Sequence, residues 1–146
     1  MAQMRAMLRG VPVRAAMITR FRVLSEDDTL STVMAELLAG SQQDFPVVSG
    51  GQITGLLTRK DALTALAGGH TGARVGDVMQ RECPVVDESE MLEDTFLRMR
   101  EGDCSTLPVV SDGRLVGMVT LENVGEWIMI HSALDRRGGR MVRIAP

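Results

Sequence analysis

The sequence predicts an α/β (α+β) fold built from two β-α-β-β-α repeats that pack as a pseudo-two-fold pair. The first observation is an internal repeat at an offset of 62 residues: Val13 recurs as Val75, and the run Pro46–Ser49 recurs as Pro108–Ser111. The second is that strand and helix patterns follow the same order in both copies. Self-similarity at a fixed spacing is typical of one supersecondary unit used twice. A unit of about 50 residues is too small to bury a good core alone, so we expect the copies to pack together.

Each copy begins with a short predicted strand, at residues 21–24 in the first and 84–86 in the second. An acidic turn follows, which favours a helix start because carboxylates stabilise the positive end of the helix dipole. The next segment has apolar residues three and four positions apart and is therefore predicted to be an amphipathic helix. Gly40 and Gly102 are predicted to end these helices in the left-handed conformation. The apolar positions are Leu30, Val33, Met34, Leu37 and Leu38 in one copy, and Leu92, Phe96 and Met99 in the other.

A β-hairpin is predicted next in each copy. Residues 45–49 and 52–57 flank Gly50 and Gly51, and residues 107–111 and 114–119 flank Asp112 and Gly113. Gly-Gly and Asp-Gly between apolar runs are typical of tight hairpin turns. A second helix then closes each copy, at residues 59–67 and 121–134.

These elements predict the domain organisation. A lead-in segment covers residues 1–10 and includes a helix at residues 2–8. The first domain covers residues 11–68, a linker covers 69–74, and the second domain covers 75–134. Residues 135–146 are rich in arginine and are predicted to be a flexible tail.

Composition narrows the class of protein. The chain has 146 residues, of which 45% are hydrophobic and 24% charged, as in soluble globular domains. A net charge of −3 argues against a nucleic-acid binder. We expect no membrane span and no signal peptide, because the apolar runs are too short. Cys83 and Cys104 form no C-x-x-C pair, which suggests a reducing compartment. A cytoplasmic location is therefore predicted, or the cytoplasmic face of a membrane protein if the chain is a fragment.

Thr58 and Asp61 lie where the second hairpin strand meets the following helix, and two interpretations are open. The hydroxyl and the carboxylate can form a capping box that closes the helix start. Alternatively, the helix start and the Thr58 hydroxyl can attract phosphate, while the Asp61 carboxylate accepts hydrogen bonds from both hydroxyls of a ribose. Gly55 would let a ligand approach the backbone closely. The second copy keeps Thr120 but has Asn123 in place of the aspartate, and an amide with one acceptor oxygen should hold a diol less well.

The sequence offers no catalytic or metal-binding constellation. The soft metal ligands His70, His131, Cys83 and Cys104 have no recognisable spacing. The sequence suggests no nucleophilic side chain paired with a general base. We therefore expect that the protein is not an enzyme.

The last helix carries apolar residues on most of its circumference and is expected to be buried on more than one side. The cover can come from its own lobe or from a partner chain, and we predict a homodimer. The residues concerned are Val124, Trp127, Ile128, Met129, Ile130 and Leu134.

The doubled unit, with the run Phe45–Val48 and the motif from Gly55 through Thr58 to Asp61, resembles a tandem pair of CBS (cystathionine β-synthase) domains, also called a Bateman module. The resemblance covers residues 11–134. It implies a regulatory module that binds adenosine-bearing ligands in two clefts between the repeats.

The same resemblance implies roles for individual residues. Thr58 would contact phosphate, Asp61 would contact the ribose hydroxyls, and the residues around Thr19 and Phe45 would contact the base. The equivalent positions in the second copy are Thr120 and Asn123.

Three stretches, residues 8–13, 40–45 and 120–126, are also similar to the C-terminal CBS pair of membrane zinc metalloproteases of the site-2 type. This narrower similarity implies a regulatory fragment of such a protease, whereas a stand-alone CBS protein is the competing interpretation.

The predicted function is therefore a non-enzymatic module that senses an adenine nucleotide, chiefly through Thr58 and Asp61, and regulates an attached or partner enzyme. No cofactor is expected to be required. The candidate ligands are AMP, ADP, ATP, NAD and S-adenosylmethionine. The alternative is a ligand-free dimerisation or docking module in which Thr58 and Asp61 only cap a helix.

Overall fold

The computed structural model describes residues 2–102 and 104–144, with side chains described for residues 5–102 and 104–135. The first repeat and its lead-in contain α1 (Ala2–Leu8), a 3-10 turn (Val13–Ala15), α2 (Leu30–Ala39), β1 (Phe45–Ser49), β2 (Gln52–Leu57) and α3 (Arg59–Ala67). The second repeat contains α4 (Val75–Val78), β3 (Val86–Asp87), α5 (Leu92–Glu101), β4 (Thr106–Ser111), β5 (Arg114–Thr120) and α6 (Leu121–Ile144). The mixed fold and the repeated α-β-β-α order are as predicted, whereas a strand before the first of these helices is present only in the second repeat.

Each repeat forms a small sheet around its hairpin. The strands β1 and β2 are antiparallel, as are β4 and β5, and β3 adds a parallel strand to β4. Both hairpin turns have positive φ at their two central residues, with values of 60° and 82° at Gly50 and Gly51 and of 50° and 77° at Asp112 and Gly113. Two successive residues with positive φ are what a two-residue hairpin of this kind requires, so the turn prediction is confirmed.

The predicted first strand of each repeat is wrong in extent. In the first repeat only Leu24 pairs, in a parallel bridge to Val47, because the side chain of Gln42 takes the backbone hydrogen bonds of Arg22. In the second repeat the paired residues are Val86 and Asp87 instead of residues 84–86.

In the folded chain we call the residues before Leu24 in the first repeat and before Val86 in the second (2–23 and 69–85) the lead-ins, and each lead-in pairs with the other repeat. Ile18 exchanges two backbone hydrogen bonds with Met118 of β5, at 2.8 and 2.9 Å. Gln80, the equivalent of Ile18, exchanges two with Leu56 of β2, each at 2.9 Å. The two repeats are therefore joined by an exchange of equivalent segments.

This exchange explains the composition of the two cores. One core contains α5, β4, β5 and the start of α6, together with Leu8 and Val13 from the first lead-in. The other contains α2, β1, β2 and α3, together with Val75 and Met79 from the second lead-in. Neither core is complete without residues from the lead-in of the other repeat. The prediction that the two copies pack together is therefore confirmed.

The glycines at the helix ends and in the second hairpin strands differ from expectation. Gly40 has φ −127° and Gly102 has φ −86°, so neither adopts the predicted left-handed conformation; each donates its N–H to the last turn of the helix. A Cβ at Gly55 would lie 2.7 Å from the carbonyl oxygen of Gln80 and 2.8 Å from the sulfur of Met79. Gly55 therefore admits the exchanged lead-in, and the prediction that it admits a ligand is wrong.

Helix α6 is longer than predicted. Its backbone is helical to Ile144, whereas the sequence pattern places its end at Leu134. The helix continues through Gly138 and Gly139, a residue type that favours helix poorly. The flexibility of residues 135–146 stays a prediction, and residues 145 and 146 lie outside the described part. Within that part, none of the helices combines the length and the apolar character needed to cross a membrane.

Candidate functional site

A cleft of about 870 Å³ lies between the two repeats. We call it the Asn123 cleft. Its walls come from the first lead-in, from the segment between α2 and β1, and from the end of β5 with the start of α6. The lining residues are Ile18, Arg20, Phe21, Arg22, Glu36, Ala39, Gly40, Ser41, Gln42, Gln43, Asp44, Phe45, Ser105, Thr106, Met118, Thr120, Leu121, Glu122, Asn123 and Glu126.

Gln42 fixes the lead-in at the wall of this cleft. Its side-chain oxygen accepts a hydrogen bond from the Arg22 N–H at 2.8 Å, and its Nε2 donates to the Arg22 carbonyl at 2.9 Å. Nε2 also donates to the Asp44 carbonyl at 2.9 Å. The Arg22 guanidinium lies 3.4 Å from the Glu36 carboxylate. The side chain of Gln42 thus makes the two backbone hydrogen bonds with Arg22 that a neighbouring strand would otherwise have made.

Thr120 and Asn123 form a closed pair at the start of α6. The Thr120 hydroxyl accepts from the Asn123 N–H at 2.9 Å, and the Asn123 Oδ1 accepts from the Thr120 N–H at 2.5 Å. The Asn123 Nδ2 donates to the Ala16 carbonyl at 2.7 Å. Both ends of the amide are therefore bound within the protein, and this pair is the reciprocal capping arrangement predicted for the first copy.

Thr58 and Asp61 occupy the equivalent position at the start of α3. The Thr58 hydroxyl accepts from the Asp61 N–H at 3.1 Å, so Thr58 caps the helix as predicted. The Asp61 Oδ2 accepts from the Gln80 Nε2 at 3.2 Å and not from the Thr58 N–H. Among the described residues, the Asp61 Oδ1 makes no hydrogen bond. The carboxylate therefore keeps an acceptor oxygen for a ligand, which Asn123 lacks.

Asp44 connects the two regions. It is buried, with 8% of its surface exposed, and its Oδ2 accepts from the Thr106 hydroxyl at 2.7 Å. Its Oδ1 accepts from the N–H of Arg59, the first residue of α3, at 3.1 Å. A side chain that lines the Asn123 cleft therefore also holds the helix that carries Asp61.

The structure brings together only some of the predicted site residues. Phe45, Thr120 and Asn123 line the same cleft, whereas Thr19 does not, although its neighbours Ile18 and Arg20 do. The ring of Phe45 is 1% exposed and belongs to the wall. Thr58 and Asp61 lie outside this cleft, at the position related by the repeat.

Sequence reasoning missed Gln42 and Asp44. The available signal was their place directly before β1, the strand that enters the interface between the repeats. Asp44 also aligns with Thr106, and a polar residue at both copies of one interface position indicates a contact between them.

One cysteine and one acidic turn residue have shifted pKa values. Cys83 and Cys104 are free and half-buried. Burial raises the pKa of the Cys83 thiol, and Cys104 adds to that rise. The hydrogen bond from the Ser89 hydroxyl, followed by that from the Ser89 N–H, lowers the pKa of Asp87 below its usual 3.8. In the described ranges, no three histidine, cysteine or acidic side chains are grouped so that they could hold a metal ion.

The fold is that of a two-repeat module with a cleft between its repeats. The family model described as CBS domain matches residues 13–68 and 75–129. The chain belongs to the CBS domain family, and its two repeats form a tandem CBS pair, or Bateman module.

Known proteins support this membership. The CBS domain-containing protein YhcV of Bacillus subtilis (strain 168) is 31% identical over 111 residues, which are 75% of this chain and 79% of that protein. Two further relatives are longer, and the chain spans 40% of one and 22% of the other.

Solved structures share the fold. The CBS domain pair of protein MJ0100, in complex with 5′-methylthioadenosine and S-adenosyl-L-methionine, has a TM-score of 0.72 at 23% identity and covers 80% of this chain and 98% of that one. The CBS domain of a membrane protein from Sphaerobacter thermophilus has a TM-score of 0.70 at 21% identity and covers 86% and 92%.

Proposed function

We propose that this CBS pair is a regulatory module that binds an adenosine-containing ligand between its repeats. The observation that carries the proposal is the Asn123 cleft, which brings together Phe45, Thr120 and Asn123 from both repeats. Its volume of about 870 Å³ is in the range of small-molecule sites. The complex of MJ0100 with two adenosine derivatives supports an adenosine-type ligand for this fold.

The region of Asp61 is the second proposed site. There Thr58 would contact phosphate and the Asp61 carboxylate would accept the ribose hydroxyls, because a carboxylate offers two acceptor oxygens. Phe45 lines the Asn123 cleft and would border the base there, close to the segment that carries Thr19. No catalytic step is part of this proposal.

Thermal unfolding with AMP, ADP, ATP, NAD and S-adenosylmethionine tests the function, with guanosine and GTP as controls. A ligand at 100 times its dissociation constant should add about 2.7 kcal/mol to the free energy of unfolding. If no adenosine compound raises the melting temperature more than the guanosine controls do, the sensor function fails.

The module would regulate an attached or partner enzyme, acting in the cytoplasm or on the cytoplasmic face of a membrane. A membrane metalloprotease of the site-2 type is our candidate, on the similarity of residues 8–13, 40–45 and 120–126. The longer relatives and the CBS domain of a membrane protein support a module that works within a larger assembly. Co-expression with such a protease, with and without an adenosine ligand, tests the pairing by the rate of substrate cleavage.

A dimerisation or docking module is the second candidate function, and α6 favours it. Met129, Ile130 and Leu134 are 73%, 57% and 54% exposed in the single chain. A second copy of this chain is the proposed cover for these side chains. The mass of the protein in solution, measured by light scattering, decides whether the chain pairs.

A further inference from the structure

The Asn123 cleft has an excess of negative charge. Two arginines, Arg20 and Arg22, line it together with four carboxylates. Arg22 lies 3.4 Å from Glu36, so part of the positive charge is already neutralised. The four carboxylates belong to Glu36, Asp44, Glu122 and Glu126.

The start of α6 has little to offer a phosphate group. Helix starts attract anions through N–H groups that have no partner in the helix. Here the Leu121 N–H donates to the Ser105 carbonyl at 3.1 Å, and the Asn123 N–H donates to the Thr120 hydroxyl at 2.9 Å. The carboxylates of Glu122 and Glu126, in the first two turns, would repel an incoming phosphate.

The start of α3 shows the opposite charge at equivalent positions. Arg59 and Lys60 stand there, where the second repeat has Leu121 and Glu122. The two helix starts share one backbone arrangement, but their first two residues carry +2 at α3 and −1 at α6, a difference of three charges. A ligand with phosphates therefore meets attraction at one of them and repulsion at the other.

We infer that the Asn123 cleft takes an adenosine derivative without phosphate, neutral or cationic, and discriminates against AMP, ADP and ATP. This inference rests on the proposed function. The apolar side chains of Ile18 and Phe21 in the wall suit a purine, and the surrounding carboxylates suit a neutral or positively charged substituent on the ribose.

Isothermal titration calorimetry of the Asp61→Ala variant tests the inference, because this variant weakens the other proposed site. The ligands are 5′-methylthioadenosine, S-adenosylmethionine, AMP and ATP. We expect ATP to bind at least about tenfold more weakly than 5′-methylthioadenosine, from repulsion between exposed like charges. An added Ala39→Trp substitution, at an exposed residue of the lining, should abolish the binding that belongs to this cleft.

The paired substitutions Glu122→Gln and Glu126→Gln should bring ATP to within about threefold of 5′-methylthioadenosine by removing the nearest repulsion. The matched control is Asp94→Asn with Asp112→Asn, two exposed residues outside the cleft that change the net charge equally. This control should leave the ratio unchanged.

The outcomes separate the inference from the function. If ATP binds this cleft as tightly as 5′-methylthioadenosine, or if the glutamine pair does not change the ratio, the inference fails and the adenosine sensor stands. If neither the parent nor the variant binds any of the four compounds, the proposed function fails and the inference with it.

Discussion

The carboxylate of Asp44 accepts a 2.7 Å hydrogen bond from the hydroxyl of Thr106, and these two residues are equivalent positions of the repeat, 62 residues apart. A contact between equivalent positions must straddle the pseudo-two-fold axis, so the bond marks the centre of the module. Both side chains are buried, with 8% and 6% of their surfaces exposed. An exact repeat would place two identical residues here. Because the repeats have diverged, one position is the acceptor Asp44 and the other is the donor Thr106, and the two can form a hydrogen bond.

Thr106→Val should lower the free energy of unfolding by about 1–3 kcal/mol, because it leaves a buried carboxylate oxygen without its donor while keeping the side-chain shape. Urea unfolding followed by circular dichroism measures the change. Thr106→Ser keeps the hydroxyl and is the control, which should lose clearly less stability. Equal losses for valine and serine would show that the methyl group, and not the hydrogen bond, stabilises this position.

Asn123→Asp should destabilise the protein by about 1–3 kcal/mol, because the Ala16 carbonyl loses its donor and faces an anion instead. Thermal unfolding detects the loss. The matched control is Asp61→Asn at the equivalent position, where the partner is the Nε2 group of exposed Gln80 and only a small change is expected. A stable Asn123→Asp variant that binds adenosine ligands more tightly would contradict this assignment of Asn123 as a structural residue.

Much of the fold could be predicted because its signals are local. Gly50 and Gly51, and Asp112 with Gly113, specify hairpin turns through positive φ, and the predicted bounds of β1, β2 and α3 agree with the structure. Leu38 was expected on the apolar face of α2 but is 81% exposed, since Leu30, Val33 and Leu37 already fill that face.

The exchange of lead-ins could not be predicted in this way. A repeat shows that residues 13–18 and 75–80 are alike but not which core each of them completes. The same limit applies to the site. Sequence spacing placed the helix caps at Thr58 and Thr120, but the bond from Asn123 to Ala16 joins residues that are far apart in the chain. Only the packed structure shows that the Asn123 Oδ1 already accepts from both the Thr120 N–H and the Thr120 hydroxyl, which occupies its two lone pairs.

Asp87 should titrate below its usual pKa, with a measurable effect of pH on stability. The pKa is lowered in the folded state, so the contribution of this carboxylate is fully present above the unfolded value near 3.8 and is lost as the pH falls through the folded value. Carbon-detected NMR of the Asp87 carboxyl measures the titration. Ser89→Ala removes the 2.5 Å hydroxyl bond and should raise the pKa again. No change in that variant would assign the shift to another group.

Ile130→Glu should convert a homodimer to a monomer if the exposed face of α6 is the seam, because burying an unpaired charge in an interface costs several kcal/mol. Light scattering at tens of micromolar reports the mass. Leu38→Glu is the matched control, since Leu38 is more exposed than Ile130 but lies on α2. A parent protein that is already monomeric would contradict the predicted dimer. A dimeric Ile130→Glu variant would show that the dimer interface lies on a surface other than α6.

Asp61→Ala should weaken the binding of phosphate-bearing adenine nucleotides by about one to two orders of magnitude, because a hydrogen bond to a charged group contributes about 1.5–3 kcal/mol. The fold should be retained, since the Thr58 hydroxyl accepts from the backbone N–H of residue 61, which alanine keeps. Calorimetry with AMP and ATP measures the loss, and thermal unfolding checks the fold. Thr64→Ala, one turn further along α3, is the control and should bind like the parent. If Asp61→Ala binds these nucleotides as tightly as the parent does, the carboxylate serves only the contact to Gln80, and the nucleotide site at this helix start is disproved.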